Sequence, residues 1–496
     1  MPGITIVGLG PGDPGLLTRE AWDVLSAAPE IYLRTARHPT VAGLPRSAAQ
    51  HSFDDIYERT DDFAQVYEAI AGRVLELGRR PAGVIYAVPG NPAVGETAVG
   101  LIRARAAEAG LTVRLVAGLS FVEPALAALG VDALPQLQLA DALDMATCHH
   151  PPLSPDAPAL IAQLYSAGLA SDVKLTLMNQ YPDDHPVTLL HAVGTPEARL
   201  ERLPLFEMDR SPAIAHLTAL WVPPLPQTSA FESFQETIAH LRAPEGCPWD
   251  REQTHRTLRA NLLEEAYEVL AALDADDAEA MCEEFGDLLL QIVLNAQIAQ
   301  EAGEFSMAQV IAGIQAKLIR RHPHVFGDAK VRGAEEVLQN WEKLKAAERE
   351  ASGGRKADQG ALGSVPGGLP ALTTADTFQR RAARVGFDWP DVGGVKAKVQ
   401  EEMAELEAAG GAAEREEELG DLLFAVVNLA RWLEVDPEAA LREANAKFAA
   451  RFAQVETRAK AEGRSMAKLT LEELDRLWEA VKRDNGGADQ LPQVRK

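Results

Sequence analysis

Residues 264–268 read Glu264-Glu265-Ala266-Tyr267-Glu268, and residues 284–289 read Glu284-Phe285-Gly286-Asp287-Leu288-Leu289. The two phrases return as Glu401-Glu402-Met403-Ala404-Glu405 and Glu418-Leu419-Gly420-Asp421-Leu422-Leu423. On a helix, Glu264 and Glu268 stand four apart and Glu265 and Glu268 three apart, so they crowd one face. Glu284 and Asp287 repeat the crowding on a following helix. Like charges so spaced destabilise a helix by roughly 0.2–0.5 kcal/mol per pair, and a divalent cation is the simplest compensation. Hard cations such as Mg2+ take carboxylate oxygens and water, and usually act with phosphate-bearing substrates. Solvated acidic surface is the plain alternative. Against it, Leu288, Leu289, Leu290, Ile292, Val293 and Leu294 follow Asp287, and Leu422, Leu423, Phe424, Val426, Val427 and Leu429 follow Asp421. A helix apolar nearly all round is expected to be buried, and buried carboxylates are paired or coordinate metals.

The repetition reaches beyond the acids. Gly246-Cys-Pro-Trp249 matches Gly386-Phe-Asp-Trp389, Lys317-Leu-Ile-Arg-Arg321 matches Lys447-Phe-Ala-Ala-Arg451, and Trp341-Glu-Lys-Leu-Lys345 matches Trp478-Glu-Ala-Val-Lys482. Matches in one order read as a duplicated module. The expected organisation is an α/β domain over 1–225, a first all-α helical-bundle module over 230–350, a Gly/Ser/Pro-rich linker over 351–370, a second module over 371–486 and a tail over 487–496.

Composition fits a soluble enzyme. The hydrophobic share of 47% supports real cores, and no apolar run is long enough to span a bilayer. Pro2-Gly3-Ile4 leads straight into a strand without a signal-peptide pattern, so a cytoplasmic protein is expected. The three cysteines lack metal-ligand spacing and cannot all pair, which argues against a disulfide framework. A formal charge of −25 argues against binding a nucleic-acid polymer, which needs a basic footprint. It does not exclude a nucleotide, because a bound metal reverses the sign locally.

In the N-terminal third, Ile4-Thr-Ile-Val7 runs into Gly8-Leu-Gly-Pro-Gly-Asp-Pro14, then Leu16, Leu17, Ala21 and Leu25 show helical spacing. Val84–Val88, Val113–Ala117 and Lys174–Met178 read as further strands. Strand ends bearing Gly, Pro, Asn and Ser are where open α/β sheets bind small ligands. The dinucleotide fingerprint is not met, because the spacing and the prolines are wrong.

Val7-Gly-Leu-Gly-Pro-Gly-Asp-Pro, Val88-Pro-Gly-Asn-Pro, Ala117-Gly-Leu-Ser and Leu177-Met-Asn resemble the tetrapyrrole (corrin/porphyrin) methylase family over roughly residues 1–225. The resemblance implies S-adenosylmethionine in a cleft between two α/β halves. By motif, Pro11, Gly90, Asn91, Val94, Ser120, Phe121 and Met178 would line its site. Two departures stand out. Asn91 replaces a common Asp, and Ile31-Tyr-Leu-Arg-Thr35 lacks an aspartate of porphyrinogen-methylating members. A domain kept for binding or scaffolding is therefore carried beside a methylating one.

Residues 230–486 resemble the MazG family of nucleoside triphosphate pyrophosphohydrolases, through Cys247-Pro-Trp-Asp250, Gln253-Thr-His255, both acidic sets, His322-Pro-His-Val-Phe326 and Asn340-Trp-Glu342. Carboxylates on facing helices of a bundle are a recurrent metal cage. The reading assigns Glu265, Glu268, Glu284 and Asp287 as Mg2+ ligands (Mn2+ as the alternative), with Glu402, Glu405, Glu418 and Asp421 as their counterparts. Glu264 and Glu401 would bind metal through water or act as base. Lys317, Arg321, Trp341 and Lys345, and in the second module Lys447, Arg451, Trp478 and Lys482, would hold phosphates or base. The resemblance implies a homodimer acting on nucleoside triphosphates, with dNTPs or an alarmone as further substrates. Which module turns over is left open, with Glu416-Glu417-Glu418 pointing to the second. Two other functions are carried: a tetrapyrrole methyltransferase with a regulatory helical part, and a non-catalytic nucleotide- or alarmone-binding scaffold.

Overall fold

The computed structural model describes residues 2–60, 62–334 and 368–485, with positions 336, 337, 340, 341, 344, 348, 362 and 365 between the last two stretches. Most of the expected linker, the tail and Lys345 lie outside the described residues. The chain divides into two compact units, Met1–Leu241 and Arg242–Lys496.

The first unit opens with a parallel sheet of β1 (Ile4–Gly8), β2 (Glu30–Leu33), β3 (Ala49–Ser52), β4 (Val84–Val88) and β5 (Val113–Val116), in the order β3-β2-β4-β1-β5. Alternation sends Ile4, Ile6, Val84, Tyr86 and Val88 to one face, where the helices Phe63–Gly78 and Thr97–Glu108 bury Val66, Ile70, Val74, Val99 and Ile102 on them. Val7, Ala87 and Val116 face the other side and meet Ala21 and Leu25 of the helix Arg19–Ala27. Both faces are thus covered, as a parallel sheet requires.

Where β1 and β4 end and β5 gives way to its following turn, three glycines touch. A Cβ on Gly8 would lie 2.6 Å from the Gly90 carbonyl oxygen and 2.6 Å from the Gly118 nitrogen. Gly90 itself has φ +64°, a left-handed conformation that glycine adopts without strain.

A second sheet holds β6 (Gln138–Asp141), β7 (Ala159–Ala162), β8 (Pro186–His191), β9 (Arg199–Pro204) and β10 (Thr218–Val222), in the order β6-β7-β10-β8-β9. Only β6–β7 pair in parallel there; the other pairs are antiparallel. One sequence expectation fails here. Lys174–Met178 is no strand: it closes the helix Ala167–Leu177, whose Leu169, Ala170, Val173, Thr176 and Leu177 are buried at helical spacing. The unit ends in the helix Phe231–Arg242. Its start is held by Asp156, which accepts from the Ser229 and Ala230 amides (2.7 and 3.1 Å) and from the Ser233 hydroxyl (2.5 Å).

The second unit is helical. Its first module contains α1 (Arg259–Asp274), α2 (Ala278–Glu301) and α3 (Met307–Arg321). Its second contains α4 (Ala371–Arg384), α5 (Val392–Ala408), α6 (Ala412–Trp432), α7 (Pro437–Ala461) and α8 (Leu471–Asn485). Asp277 caps α2 through the Glu279 and Ala280 amides, and Asp391 caps α5 through Gly393 and Gly394. α1 packs on α2, and α5 on α6. The expectation that α2 and α6 are buried all round is corrected. Val293, Leu294, Ala296, Leu422, Ala425 and Val427 are buried, but Phe285, Leu289, Ile292, Leu423, Phe424 and Val426 are exposed. The described neighbours cover only one side of each helix. No helix among the described residues is long and apolar enough to cross a membrane.

Candidate functional site

The acidic phrases fold as their spacing requires. Glu265 and Glu268 lie one turn apart on α1, and Glu284 and Asp287 one turn apart on the adjoining α2. Carboxylate oxygens of Glu265, Glu268 and Glu284 lie within 4.8 Å of one another. Asp287 is outside that trio, yet its charge reaches it. Partial burial, then Asp287, Glu268 and Glu284, push the Glu265 carboxyl above its ordinary range. Partial burial, then Glu268, Glu283 and Asp287, do the same to Glu284.

In the second module the trio is Glu402, Glu418 and Asp421, again within 4.8 Å. Asp421 is exposed and Asp287 half-buried, so neither is withdrawn from water as fully as an all-round buried helix would require. Glu405 stands outside the trio. Partial burial followed by Glu405, Glu402, Asp421 and Glu417 raises the Glu418 carboxyl. Carboxylates that repel one another at this range, with water able to complete the shell, are the donor set a hard divalent cation takes.

The modules differ at one position. Lys398 Nζ stands 2.7 Å from Glu402, whose side chain is 6% exposed, and 3.0 Å from Glu401. The first module has Asn261 there. Sequence reading passed over Lys398, although a lysine four positions before Glu402 is a visible signal. Glu264 and Glu401 are both exposed.

Of the remaining assigned residues, Arg321 pairs with Glu348 (2.5 Å), and its guanidinium lies 5.9 Å from the Trp341 ring centroid. Lys317 is half-buried one turn earlier on α3. Lys447, exposed, and Arg451, half-buried, lie one turn apart on α7. Between them Phe448 meets the Trp478 ring at 5.3 Å and Phe452 at 5.9 Å. Trp478 is thus built into an aromatic cluster, and Lys482 bonds Glu479 at 3.0 Å.

In the first unit, a cavity of about 510 Å³ is lined by Pro11, Gly90, Asn91, Val94, Ser120 and Phe121. Met178 does not line it; it follows the helix Ala167–Leu177 and is 38% exposed. Asn91 accepts from the Ala93 amide (2.9 Å) and donates to the Gly118 carbonyl (2.8 Å). An aspartate could not make the second bond, so this departure from the family pattern has a local reason. Sequence reading missed the cavity's polar wall, where Arg34, His38, Tyr57 and Glu96 gather. Arg34 and Glu96 form a buried pair at 2.5 Å, 62 positions apart, which no local pattern reveals.

Residues 253–326 match the MazG nucleotide pyrophosphohydrolase domain, and residues 3–209 match the Tetrapyrrole (Corrin/Porphyrin) Methylases. The "Nucleoside triphosphate pyrophosphohydrolase/pyrophosphatase MazG" of Thermotoga maritima is 46% identical over 252 residues, 51% of this chain and 95% of that protein. The chain belongs to the MazG family. The MazG relationship extends to the "Nucleoside triphosphate pyrophosphohydrolase" of Escherichia coli K12, 47% identical over 50% of this chain and 94% of that protein. Another relative matches nearly the whole chain. The "Uncharacterized protein YabN" of Bacillus subtilis is 42% identical over 97% of this chain and 98% of its own length. Among solved structures, the uroporphyrin-III C-methyltransferase of Thermus thermophilus complexed with S-adenyl homocysteine is 18% identical, with a TM-score of 0.32 over 45% of this chain and 97% of that one.

Proposed function

We infer that the MazG region is a Mg2+-dependent nucleoside triphosphate pyrophosphohydrolase, converting NTP and water to NMP and diphosphate in nucleotide-pool housecleaning. The observation that carries this reading is the pair of three-carboxylate groups, each drawn from two adjoining helices. Relatives at 46% and 47% identity, named for this activity, support it. Glu265, Glu268, Glu284 and Asp287, and Glu402, Glu405, Glu418 and Asp421, are the ligands. Mg2+, with Mn2+ as the alternative, supplies charge neutralisation on the phosphates and a more acidic bound water. Glu264 and Glu401 take the proton of the water that attacks the α-phosphorus. The cations and aromatics of α3, α7 and α8, with Trp341 and Lys345, hold the phosphate tail and base. dNTPs and an alarmone belong to the same substrate class. The exposed apolar row Phe285, Leu289 and Ile292 supports a homodimer.

The test is diphosphate release from NTPs and dNTPs with and without Mg2+, in wild type, Asp287→Asn, Asp421→Asn and the double variant. Loss of Mg2+-dependent release with one substitution identifies the working module. No release from wild type on any nucleotide sinks the hydrolase reading and leaves the scaffold.

A second reading concerns the first unit alone. Its cavity, with six of the seven cofactor positions on the wall, supports S-adenosylmethionine binding and a methyltransferase activity. Calorimetric titration with S-adenosylhomocysteine tests it; no heat at millimolar ligand would end it.

A further inference from the structure

The cavity wall of the first unit is built in two ways. The turns after β1, β4 and β5 bring small residues and backbone to it. Elsewhere on it, Arg34 is held from several sides. Its Nη1 donates to Glu96 (2.5 Å), its Nε donates to the Tyr57 hydroxyl (2.9 Å), and its guanidinium lies 5.9 Å from the Tyr67 ring centroid. The Glu96 side chain is 3% exposed, and its Oε1 is taken up by Arg34. Asp54, also on the wall, turns a carboxylate oxygen to the Ala36 amide (2.9 Å).

What Arg34 and Tyr57 keep for a ligand is donors. Arg34 Nη2 has no hydrogen-bond partner among the described residues. The Tyr57 oxygen already accepts from Arg34, which leaves its proton to give. A neutral polar molecule needs donors and acceptors together; an oxyanion needs donors only. A guanidinium fixed in orientation suits the paired oxygens of a carboxylate or phosphate.

We propose that the Arg34–Tyr57 corner is an oxyanion site inside the cavity, binding a carboxylate or phosphate group of a small ligand. The oxyanion has two sources: the amino-acid carboxylate of the adenosyl cofactor itself, or the acidic group of a second molecule beside it. A cavity of about 510 Å³ lies in the range of small-molecule sites. The first source rests on the cofactor reading above; the second does not.

The experiment is calorimetry on the full chain in EDTA, with S-adenosylhomocysteine, with 5′-methylthioadenosine (which lacks the carboxylate) and with inorganic phosphate. It compares wild type, Tyr57→Phe and the paired Arg34→Met/Glu96→Gln variant, which removes both charges together. Tyr57→Phe keeps the ion pair, should the paired variant fail to fold. If the cofactor supplies the oxyanion, wild type prefers S-adenosylhomocysteine over methylthioadenosine by about tenfold or more, as one charge-assisted hydrogen bond allows. The preference then shrinks in Tyr57→Phe and disappears in the paired variant. If a second molecule supplies it, the two nucleosides bind alike. Phosphate then binds S-adenosylhomocysteine-saturated wild type and weakens in both variants. Phosphate binding that depends on Arg34 and Tyr57, with neither nucleoside bound, would remove the cofactor reading and keep the oxyanion site. Affinities that are the same in all three proteins overturn the proposal.

Discussion

Lys398 Nζ lies 2.7 Å from a Glu402 carboxylate oxygen in the second acidic group, whereas the matching position of the first group is Asn261. Among the described residues, the second acidic group thus carries a cation at this position and the first does not. Both hold carboxylates raised by partial burial and by one another, so on the metal reading proposed above the first would rely more on an external ion for its charge balance.

Replacing Lys398 tests that difference. Lys398→Met leaves Glu402 buried without its ammonium partner, and removing one member of such a pair destabilises. In EDTA the variant is expected to unfold at lower temperature than wild type, and saturating Mg2+ should close most of the gap. Thermal melts with and without Mg2+ measure this; an equal gap in both would show that the metal and the lysine do not serve the same carboxylates.

The first unit should show two opposed pH responses. Burial pushes the Glu96 carboxyl up to about 7, although Arg34 pulls it down. The folded state then holds the proton that the unfolded state releases, so this contribution is full below pH 4.5 and is lost as pH rises to 7. Burial, with His216 and Arg34 adding to it, lowers His38 to about 4. Its contribution has the other sign: present above pH 6.5 and lost as pH falls to 4. Glu96→Gln should therefore make stability rise more steeply with pH across this window, by a few kcal/mol at most for the shift from 4.5 to about 7. His38→Phe should do the reverse. Urea unfolding at stepped pH, followed for both variants, checks the signs.

The exposed row on α2 predicts self-association. Leu289→Glu/Ile292→Glu changes exposed positions, so each should alter the fold's stability by no more than about 0.5 kcal/mol. Sedimentation should fall from the mass of two chains to that of one. A wild type that already sediments as a single chain would refute the dimer.

Asp156 gathers the start of the helix Phe231–Arg242 through two amides and the Ser233 hydroxyl. Asp156→Ala should cost about 1 kcal/mol, the usual loss for a helix-capping oxygen. Amide exchange is expected to quicken at Ser229 and Ala230 before the rest of the helix responds.

Much of this was legible from one sequence because the informative residues are close in the chain. The acidic positions sit one turn apart, so helix geometry alone aligns them, and Ile4–Val7 and Val84–Val88 announce strands by their β-branched, apolar run. Lys174–Met178 reads as a strand because Leu175, Thr176 and Leu177 form an apolar, β-branched run, whereas the helical spacing shows only over the longer stretch from Leu169 to Leu177. Arg34 and Glu96 were beyond reach, since only the tertiary fold brings them together. The bare side of α2 was misjudged because apolar periodicity reports what a helix can bury, not whether a neighbour arrives to cover it.

The contact of Gly8, Gly90 and Gly118 joins backbone to backbone, with no side chain at the junction. Gly90 carries that junction to the cavity wall, which it shares with Arg34, His38, Tyr57 and Glu96. Lineages that keep the three glycines can exchange those wall residues, with Arg34 and Glu96 changing as a pair because each leaves the other uncompensated. Such a site can be retooled for a new guest over generations without rebuilding the room that receives it.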